Sequence, residues 1–214
     1  MFVAQRMTTN PITITSNMPI TDAMQIMREH KFRRLPVVDN GKLIGIITDR
    51  DLREASPSAA TSLSIFELNY LLAKMQVKDV MQKKVITVNA YAVIEEAALL
   101  MYNHKIGGLI VVDTDGKPIG IITETDIFKC FVDVMGLPKG KTRLTIAADD
   151  KIGVVHDITG VFADLGINIG SMVSYSSDAD KFELVIRADI KDVTELKARL
   201  AEKGYPVQHV VQIG

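Results

Sequence analysis

Short runs of Val and Ile alternate along the chain with stretches in which apolar residues return every three or four positions, and this alternation predicts the elements. Ile12-Thr13-Ile14 reads as a short strand. Pro19 suits the first turn of a helix, where its missing N–H has no partner to lose, and Ile20, Ala23, Met24 and Met27 then share one helical face. Leu35 to Val38 and Leu43 to Thr48 are β-branched runs joined by Asn40-Gly41, a strong hairpin signal. The carboxylates of Asp49 and Asp51 favour a helix start at that point. Later in the chain the helical stripe returns as Ile94, Ala97, Ala98 and Met101.

That return is an internal repeat. Residues 7 to 39 match residues 81 to 113 at a shift of 74 with 12 of 33 pairs identical, among them Met7/Met81, Ala23/Ala97 and Asp39/Asp113. After one inserted residue, 41 to 52 match 116 to 127 at a shift of 75 with 8 of 12 pairs identical. The insertion falls where Asp39-Asn40-Gly41 becomes Asp113-Thr114-Asp115-Gly116, in a turn, where an added residue flips no strand face. Each copy reads as strand, helix, strand, strand, helix.

Between the copies, Ser56 to Ser62 has linker composition. Ser64 with Glu67 forms a capping box ahead of Phe66, Leu68, Leu71, Leu72 and Met75, which predicts an extra amphipathic helix. From about Lys141 a third unit begins. Leu144 to Ala147 is a strand, and Val154, Val155, Ile158, Val161, Phe162 and Leu165 form a helix face stopped at Gly166. Ile169 to Tyr175 and Phe182 to Ala188 are strands around a polar turn at Ser176 to Asp180. Val193, Leu196 and Leu200 line a second helix, and Val207 to Ile213 closes the unit. The order β-α-β-β-α-β is that of a ferredoxin-like plait, with Met135 to Gly140 as the joint before it. The fold class is therefore α/β (α+β), with units at 1–55, 77–134 and 141–214 and a helical linker at 56–76.

Composition narrows the function. The 25 Lys and Arg balance 26 Asp and Glu, so no charge excess advertises nucleic acid or an anionic membrane. The longest apolar run, near Ile106 to Val112, is too short to cross a bilayer, and no secretory leader pattern opens the chain, which points to the cytoplasm. Cys130 is the lone cysteine and reads as a buried hydrophobe. His30, His104, His156 and His209 show no metal-ligand spacing; His30 and His104, at equivalent helix ends, read as cap or packing residues. No nucleophile elbow, Walker loop or dinucleotide fingerprint appears.

The chemistry that stands out is a Thr and an Asp three residues apart where a strand meets a helix, Thr48 with Asp51 and Thr123 with Asp126. A carboxylate can accept from both hydroxyls of a ribose, and a threonine hydroxyl adds an orienting contact; a helix N-terminus favours a nearby phosphate. The same spacing also serves a helix cap, and on spacing alone the two roles are evenly matched. Strand-helix-strand-strand-helix units carrying Gly-Ile-Ile-Thr-x-x-Asp in tandem resemble cystathionine-β-synthase (CBS) domains, paired as a Bateman module, over roughly residues 1 to 134. The resemblance implies two clefts for adenosyl ligands: AMP, ADP or ATP, or alternatively S-adenosylmethionine or NAD. It assigns the ribose to Thr48, Asp51, Thr123 and Asp126. It assigns the base to Pro11, Ile12 and Thr13 with Arg33 to Pro36, and to Val85, Ile86 and Thr87 with Gly107, Gly108, Leu109 and Ile110. The first copy has Arg33, Arg34 and Arg50 where the second has Gly107, Gly108 and Thr125. The cleft with Asp51 is therefore expected to prefer a phosphate tail, and the other a less charged ligand or none.

The last 74 residues resemble the ACT domain, a regulatory plait that often binds amino acids. The resemblance rests on Asp150-Lys151-Ile152-Gly153-Val154-Val155 and on Gly166-Ile167-Asn168-Ile169. It implies an amino-acid site at Asp150, Ile152, Gly153, Val154, Asn168 and Ile169, with Ile152 standing where many members carry proline, and pairing between subunits. Dimerisation is the favoured role over amino-acid sensing. The CBS-CBS-ACT order resembles the acetoin-utilisation B-type proteins. The expected function is a non-catalytic regulator that binds an adenine nucleotide, with no catalytic cofactor, and signals through a homodimer to a partner enzyme. The alternatives are a ligand-free scaffold, a regulatory subunit of a separate enzyme, and a nucleotide hydrolase using Asp51 or Asp126.

Overall fold

Each repeat starts by packing on the other, and this exchange organises the first half of the chain. The first repeat contributes β1 (Thr8–Thr9), α1 (Ile20–His30), β2 (Arg34–Asp39), β3 (Lys42–Thr48) and α2 (Asp49–Ala55). After α3 (Ile65–Lys74) and α4 (Val77–Val80), the second contributes β4 (Thr87–Asn89), α5 (Ile94–His104), β5 (Gly108–Val112), β6 (Pro118–Thr123) and α6 (Glu124–Val134). The computed structural model describes residues 1–55, 65–137, 142–178 and 181–212. The predicted linker at Ser56 to Ser62, the Ser64 cap, Pro138 to Gly140 of the joint, Ala179, Asp180 and Ile213 lie outside those residues, as do the side chains of Phe66, Leu68 and Leu71. The chain divides into two compact units, Met1–Ile127 and Phe128–Gly214.

In the first unit, β1 pairs antiparallel with β6, Thr8 opposite Ile121, while Gln82 bridges Ile46 of β3. Thr8 and Gln82 are equivalent residues, so the two exchanges are related by a pseudo-twofold. Met7 and Met81 ride on this crossing. A Cβ added to Gly120 would lie 2.5 Å from the sulfur of Met7, and one added to Gly45 would lie 2.6 Å from that of Met81. Both glycines thus admit the other repeat's methionine.

The hairpins follow their turn residues. Asn40 and Gly41 take φ of 50° and 77°, the left-handed pair that a two-residue type I′ turn requires. In the second copy the extra residue is absorbed by Asp113, whose Oδ1 accepts from the N–H of Asp115 (3.0 Å) and of Lys117 (2.8 Å). Both ladders slip at the same place, after Val37 opposite Gly45 and after Val111 opposite Gly120. The expected first strand at Ile12 to Ile14 shrinks to one parallel bridge, Ile14 to Val37, whereas its counterpart β4 pairs over three residues with β5. Pro36 stands where the second copy has Ile110, and it brings no N–H to the ladder.

The apolar stripes become the core. Ile20, Ala23 and Met27 of α1 pack with Leu35, Val37, Ile47 and Val77, and Leu72 and Met75 lie against this cluster. Ile94, Ala97 and Met101 of α5 are buried with Leu109, Ile110, Val111 and Ile122. Among the described residues no helix is long and apolar enough to cross a membrane.

The second unit contains β7 (Thr142–Asp149), α7 (Val154–Asp164), β8 (Ile169–Asp178), β9 (Lys181–Ala188), α8 (Thr194–Glu202) and β10 (Val207–Gln212). The strands run antiparallel in the order β10-β7-β9-β8, the plait expected from the sequence. Leu144, Ile146, Leu184 and Ile186 meet Ile158, Phe162, Leu196 and Leu200 in its core. Gly166, at φ 66°, ends α7 as predicted. The predicted turn at Ser176 to Asp180 is shorter than read, because β8 continues to Asp178, paired with Lys181.

Candidate functional site

The chain passes from β3 directly into α2, and from β6 directly into α6, and the Thr–Asp pairs hold these junctions. Asp51 Oδ2 accepts from the N–H of Thr48 at 2.8 Å and from its hydroxyl at 2.6 Å, and the Asp51 N–H donates back to Thr48 Oγ1 at 3.3 Å. Asp126 Oδ2 accepts from the N–H and hydroxyl of Thr123 at 2.8 and 2.7 Å. The capping role is therefore present in both copies. It occupies one carboxylate oxygen and leaves the other. Asp51 Oδ1 accepts from Gln82 Nε2 at 2.9 Å, whereas no group among the described residues donates to Asp126 Oδ1.

Two cavities open beside these junctions. One, of about 840 Å³, is lined by Thr48 and Asp51 together with Ile46, Val85, Ile86, Ile106, Gly107 and Gly108. The other, of about 340 Å³, is lined by Thr123 and Thr125 with Ile121, Thr8, Asn10, Pro11, Ile12 and Phe32. Each thus joins the polar junction of one repeat to the apolar wall of the other, a consequence of the exchange at β1 and Gln82. Several residues expected at the sites are on neither wall. Pro36, Leu109 and Ile110 are buried in strands covered on both faces, and Thr13, Thr87 and Asp126 also lie outside both linings. Gln82, Lys84, Lys31 and Lys105 were not singled out from the sequence; the repeat offset pairs Thr8 with Gln82 and Lys31 with Lys105, which is the signal that could have found them.

The arginines depart from expectation in one respect. Arg33 and Arg34 line both cavities, not the Asp51 cleft alone, because they sit where the two repeats meet. The larger cavity also receives Arg50, Arg53, Lys84 and Lys105 against Asp49, Asp51 and Glu124; the smaller receives Lys31 against Glu124. Arg50 is exposed and paired with Glu54 at 2.8 Å, and Arg53 with Asp49 at 3.2 Å. Burial pulls the pKa of Arg34 below its ordinary value; Glu124 opposes the shift, Arg33 adds to it and Asp49 opposes it. His30 stacks on Phe32 with ring centroids 5.4 Å apart.

In the second unit, Gly153 takes φ 96° immediately before α7, and Ile152 beside it is fully exposed. A cavity of about 450 Å³ is lined by Val154 with Asp149, Lys151, Lys181, Lys203, Tyr205 and Gln208, among others. Of the residues expected to hold an amino acid, Val154 lies on this wall and Asp150, Ile152, Gly153, Asn168 and Ile169 do not.

The Thr–Asp junction is thus duplicated, and each copy faces the other repeat's apolar wall. The CBS domain family matches residues 3–58 and 77–133, more than half of the chain, and the ACT domain family matches 142–204. The chain belongs to the CBS-domain family. Its C-terminal unit is an ACT domain. A CBS domain-containing protein of Dictyostelium discoideum is 34% identical to the CBS pair over 134 residues, 62% of this chain and 92% of that protein. Other curated relatives are longer, and the chain spans 21% to 46% of their length. Among solved structures, the CBS pair of protein MJ0100, in complex with 5′-methylthioadenosine and S-adenosyl-L-methionine, is 31% identical with a TM-score of 0.52, covering 62% of this chain and 97% of that one. CBSX2 of Arabidopsis thaliana in complex with AMP is 29% identical with a TM-score of 0.51, at the same coverage. A Vibrio cholerae protein assigned to acetoin utilization (AcuB) is 31% identical with a TM-score of 0.53, covering 65% and 96%.

Proposed function

We propose that the CBS pair, with units at 1–55 and 77–134, binds adenine nucleotides as regulatory ligands and does no chemistry on them. The observation that carries this reading is the Thr48–Asp51 junction on the wall of the larger cavity. One carboxylate oxygen is spent on the cap, which locks the side chain, and the other, which accepts from Gln82, keeps a lone pair that a ribose hydroxyl could use. Val85, Ile86 and Ile106 offer an apolar slot for a base, and Arg33, Arg34, Lys84 and Lys105 offer charge for phosphates. AMP in CBSX2 and the adenosyl ligands in MJ0100 support the same class of ligand. The greater basic lining of the Asp51 cleft makes it the site for AMP, ADP or ATP, and the Thr123 cleft the site for a less charged adenosyl compound such as S-adenosylmethionine.

A regulatory rather than catalytic role is supported by the family's occurrence inside longer enzymes: the chain spans 25% of an inosine-5′-monophosphate dehydrogenase of Methanocaldococcus jannaschii. The ACT unit, at 141–214, is proposed to pair two copies of the chain. Its sheet ends at β8 and β10, strands on which Met172, Tyr175 and Val211 are exposed.

Thermal shift against AMP, ADP, ATP, S-adenosylmethionine and NAD tests the reading, since a ligand at about 100 times its Kd adds roughly 2.7 kcal/mol to the bound unit. Asp51→Ala is expected to reduce the AMP shift to what the Thr123 cleft alone contributes. If AMP still stabilises both Asp51→Ala and Asp126→Ala as it does the parent, the clefts are not the sites.

A further inference from the structure

The two clefts of the CBS pair have one wall in common, formed by Arg33, Arg34, Gly107 and Glu124. Arg34 opens β2 opposite Thr48, and its equivalent Gly108 opens β5 opposite Thr123. A Cβ built on Gly108 would lie 2.0 Å from Arg34 Nη1 and 2.8 Å from Arg34 Cζ, so the guanidinium lies across the backbone of its own counterpart. The space at the pseudo-twofold holds one such group. A second arginine at position 108 would clash with the first and repel it. Glycine at position 108 thus leaves the room that the Arg34 guanidinium occupies.

The group is also unspent. Arg34 is half-buried, yet it has no hydrogen-bond acceptor and no ion pair among the described residues. Glu124 and Asp49 act on it only at longer range, and Arg33 beside it repels it. Half-buried and facing both cavities, this fork of N–H donors is free to take an anionic acceptor from either.

We propose that Arg34 is a phosphate ligand shared by both clefts, so that two phosphate-bearing nucleotides bind with negative cooperativity while phosphate-free adenosyl ligands do not. This rests on reading the clefts as nucleotide sites. A planar guanidinium turned to a phosphate in one cleft is withdrawn from the other, and the second phosphate also meets the charge of the first. The coupling is reciprocal, whichever cleft fills first. A nucleotide in one cleft with an uncharged adenosyl compound in the other is then the favoured doubly bound state.

Calorimetric titration of the full chain with AMP and, separately, with adenosine tests this. The Thr123 cleft is expected to bind AMP at least tenfold more weakly when the Asp51 cleft already holds AMP than in Asp51→Ala, where that cleft stays empty; this ratio is the AMP gap, and the same ratio with adenosine is the adenosine gap. Arg34→Gln should shrink the AMP gap at least threefold, leaving above the adenosine gap only the repulsion between the two phosphates. If Arg34→Gln does not fold, Arg34→Lys, which keeps the charge but loses the fork, is expected to cut the gap at least threefold. An AMP gap no larger than the adenosine gap in the parent, or one unchanged in the variant that folds, overturns the sharing and leaves the nucleotide reading intact. Failure of both AMP and adenosine to bind overturns the nucleotide reading, and the sharing with it.

Discussion

Lys31 and Lys105 end α1 and α5 in the left-handed region, with φ of 57° and 53°. A side chain with a Cβ costs about 1 kcal/mol there relative to glycine, and a glycine is the common solution at this place. Both copies keep lysine instead, and each lysine lines a cavity. Lys105→Gly is therefore expected to gain about 1 kcal/mol in urea denaturation while weakening AMP binding. Lys105→Ala, which retains the Cβ, should weaken binding with no such gain. Equal stability of the two variants would sink the idea that cleft charge is kept at the expense of backbone strain. Arg187 is a second case of a residue at odds with its surroundings. It is 4% exposed, its Nε and Nη1 are buried without an acceptor among the described residues, and its pKa is pulled down by burial and by Arg143, which faces it across β7 and β9. Removing unsatisfied buried donors relieves about 1–3 kcal/mol, so Arg187→Met is expected to raise the denaturation midpoint. A lowered midpoint would mean that the guanidinium has found a partner in solution. Neither residue was legible in the sequence, where a lysine at a helix end and an arginine in a strand look ordinary until the backbone angle and the covering atoms are known.

At the level of elements, the two copies differ most usefully at one loop. Asp39 ends β2 and accepts from Ser16 twice, from its N–H at 3.0 Å and from its hydroxyl at 2.6 Å, tying the segment before α1 to the hairpin. The second copy has Ala90 in place of Ser16, and its Asp113 turns to its own hairpin instead. The Ser16 hydroxyl, then its N–H, hold the Asp39 carboxyl below its ordinary pKa. A depressed folded pKa gives stability that is present above the unfolded value of about 3.9 and is lost as pH falls through the folded value. Ser16→Ala is thus expected to be less stable than the parent at pH 6 to 7, with the difference closing below about pH 4. A constant difference across that range would assign the loss to packing alone. Hairpins, helices and the Thr–Asp junctions were readable because their signals are local: turn residues, a 3.6-residue stripe, a spacing of three. The pairing of β1 with β6 was not, since Thr8-Thr9 is two polar residues whose partner lies in the other repeat. For the same reason the sequence placed Arg33 and Arg34 in one cleft, because the reach of a side chain across a pseudo-twofold leaves no local mark.

For the molecule as a whole, the question is where occupancy is read out. The units Met1–Ile127 and Phe128–Gly214 have separate cores, one around Leu35, Ile47 and Ile20 and its repeat, the other around Ile146, Ile158 and Phe162. Chains built from more than one core depart from all-or-none unfolding, so calorimetry is expected to resolve two transitions. AMP at about 100 times its Kd should stabilise the CBS transition by roughly 2.7 kcal/mol and leave the ACT transition in place. Asp51→Ala should reduce that displacement. Raising the protein concentration should move the ACT transition upward if that unit pairs copies of the chain, since association stabilises only the folded state. With this outcome, the surface that reports the nucleotide belongs to the CBS pair itself, and the ACT unit sets how many such surfaces are presented together. If AMP instead carries both transitions upward, the displacement of the second measures the coupling free energy between the units. The signal would then leave through the ACT unit.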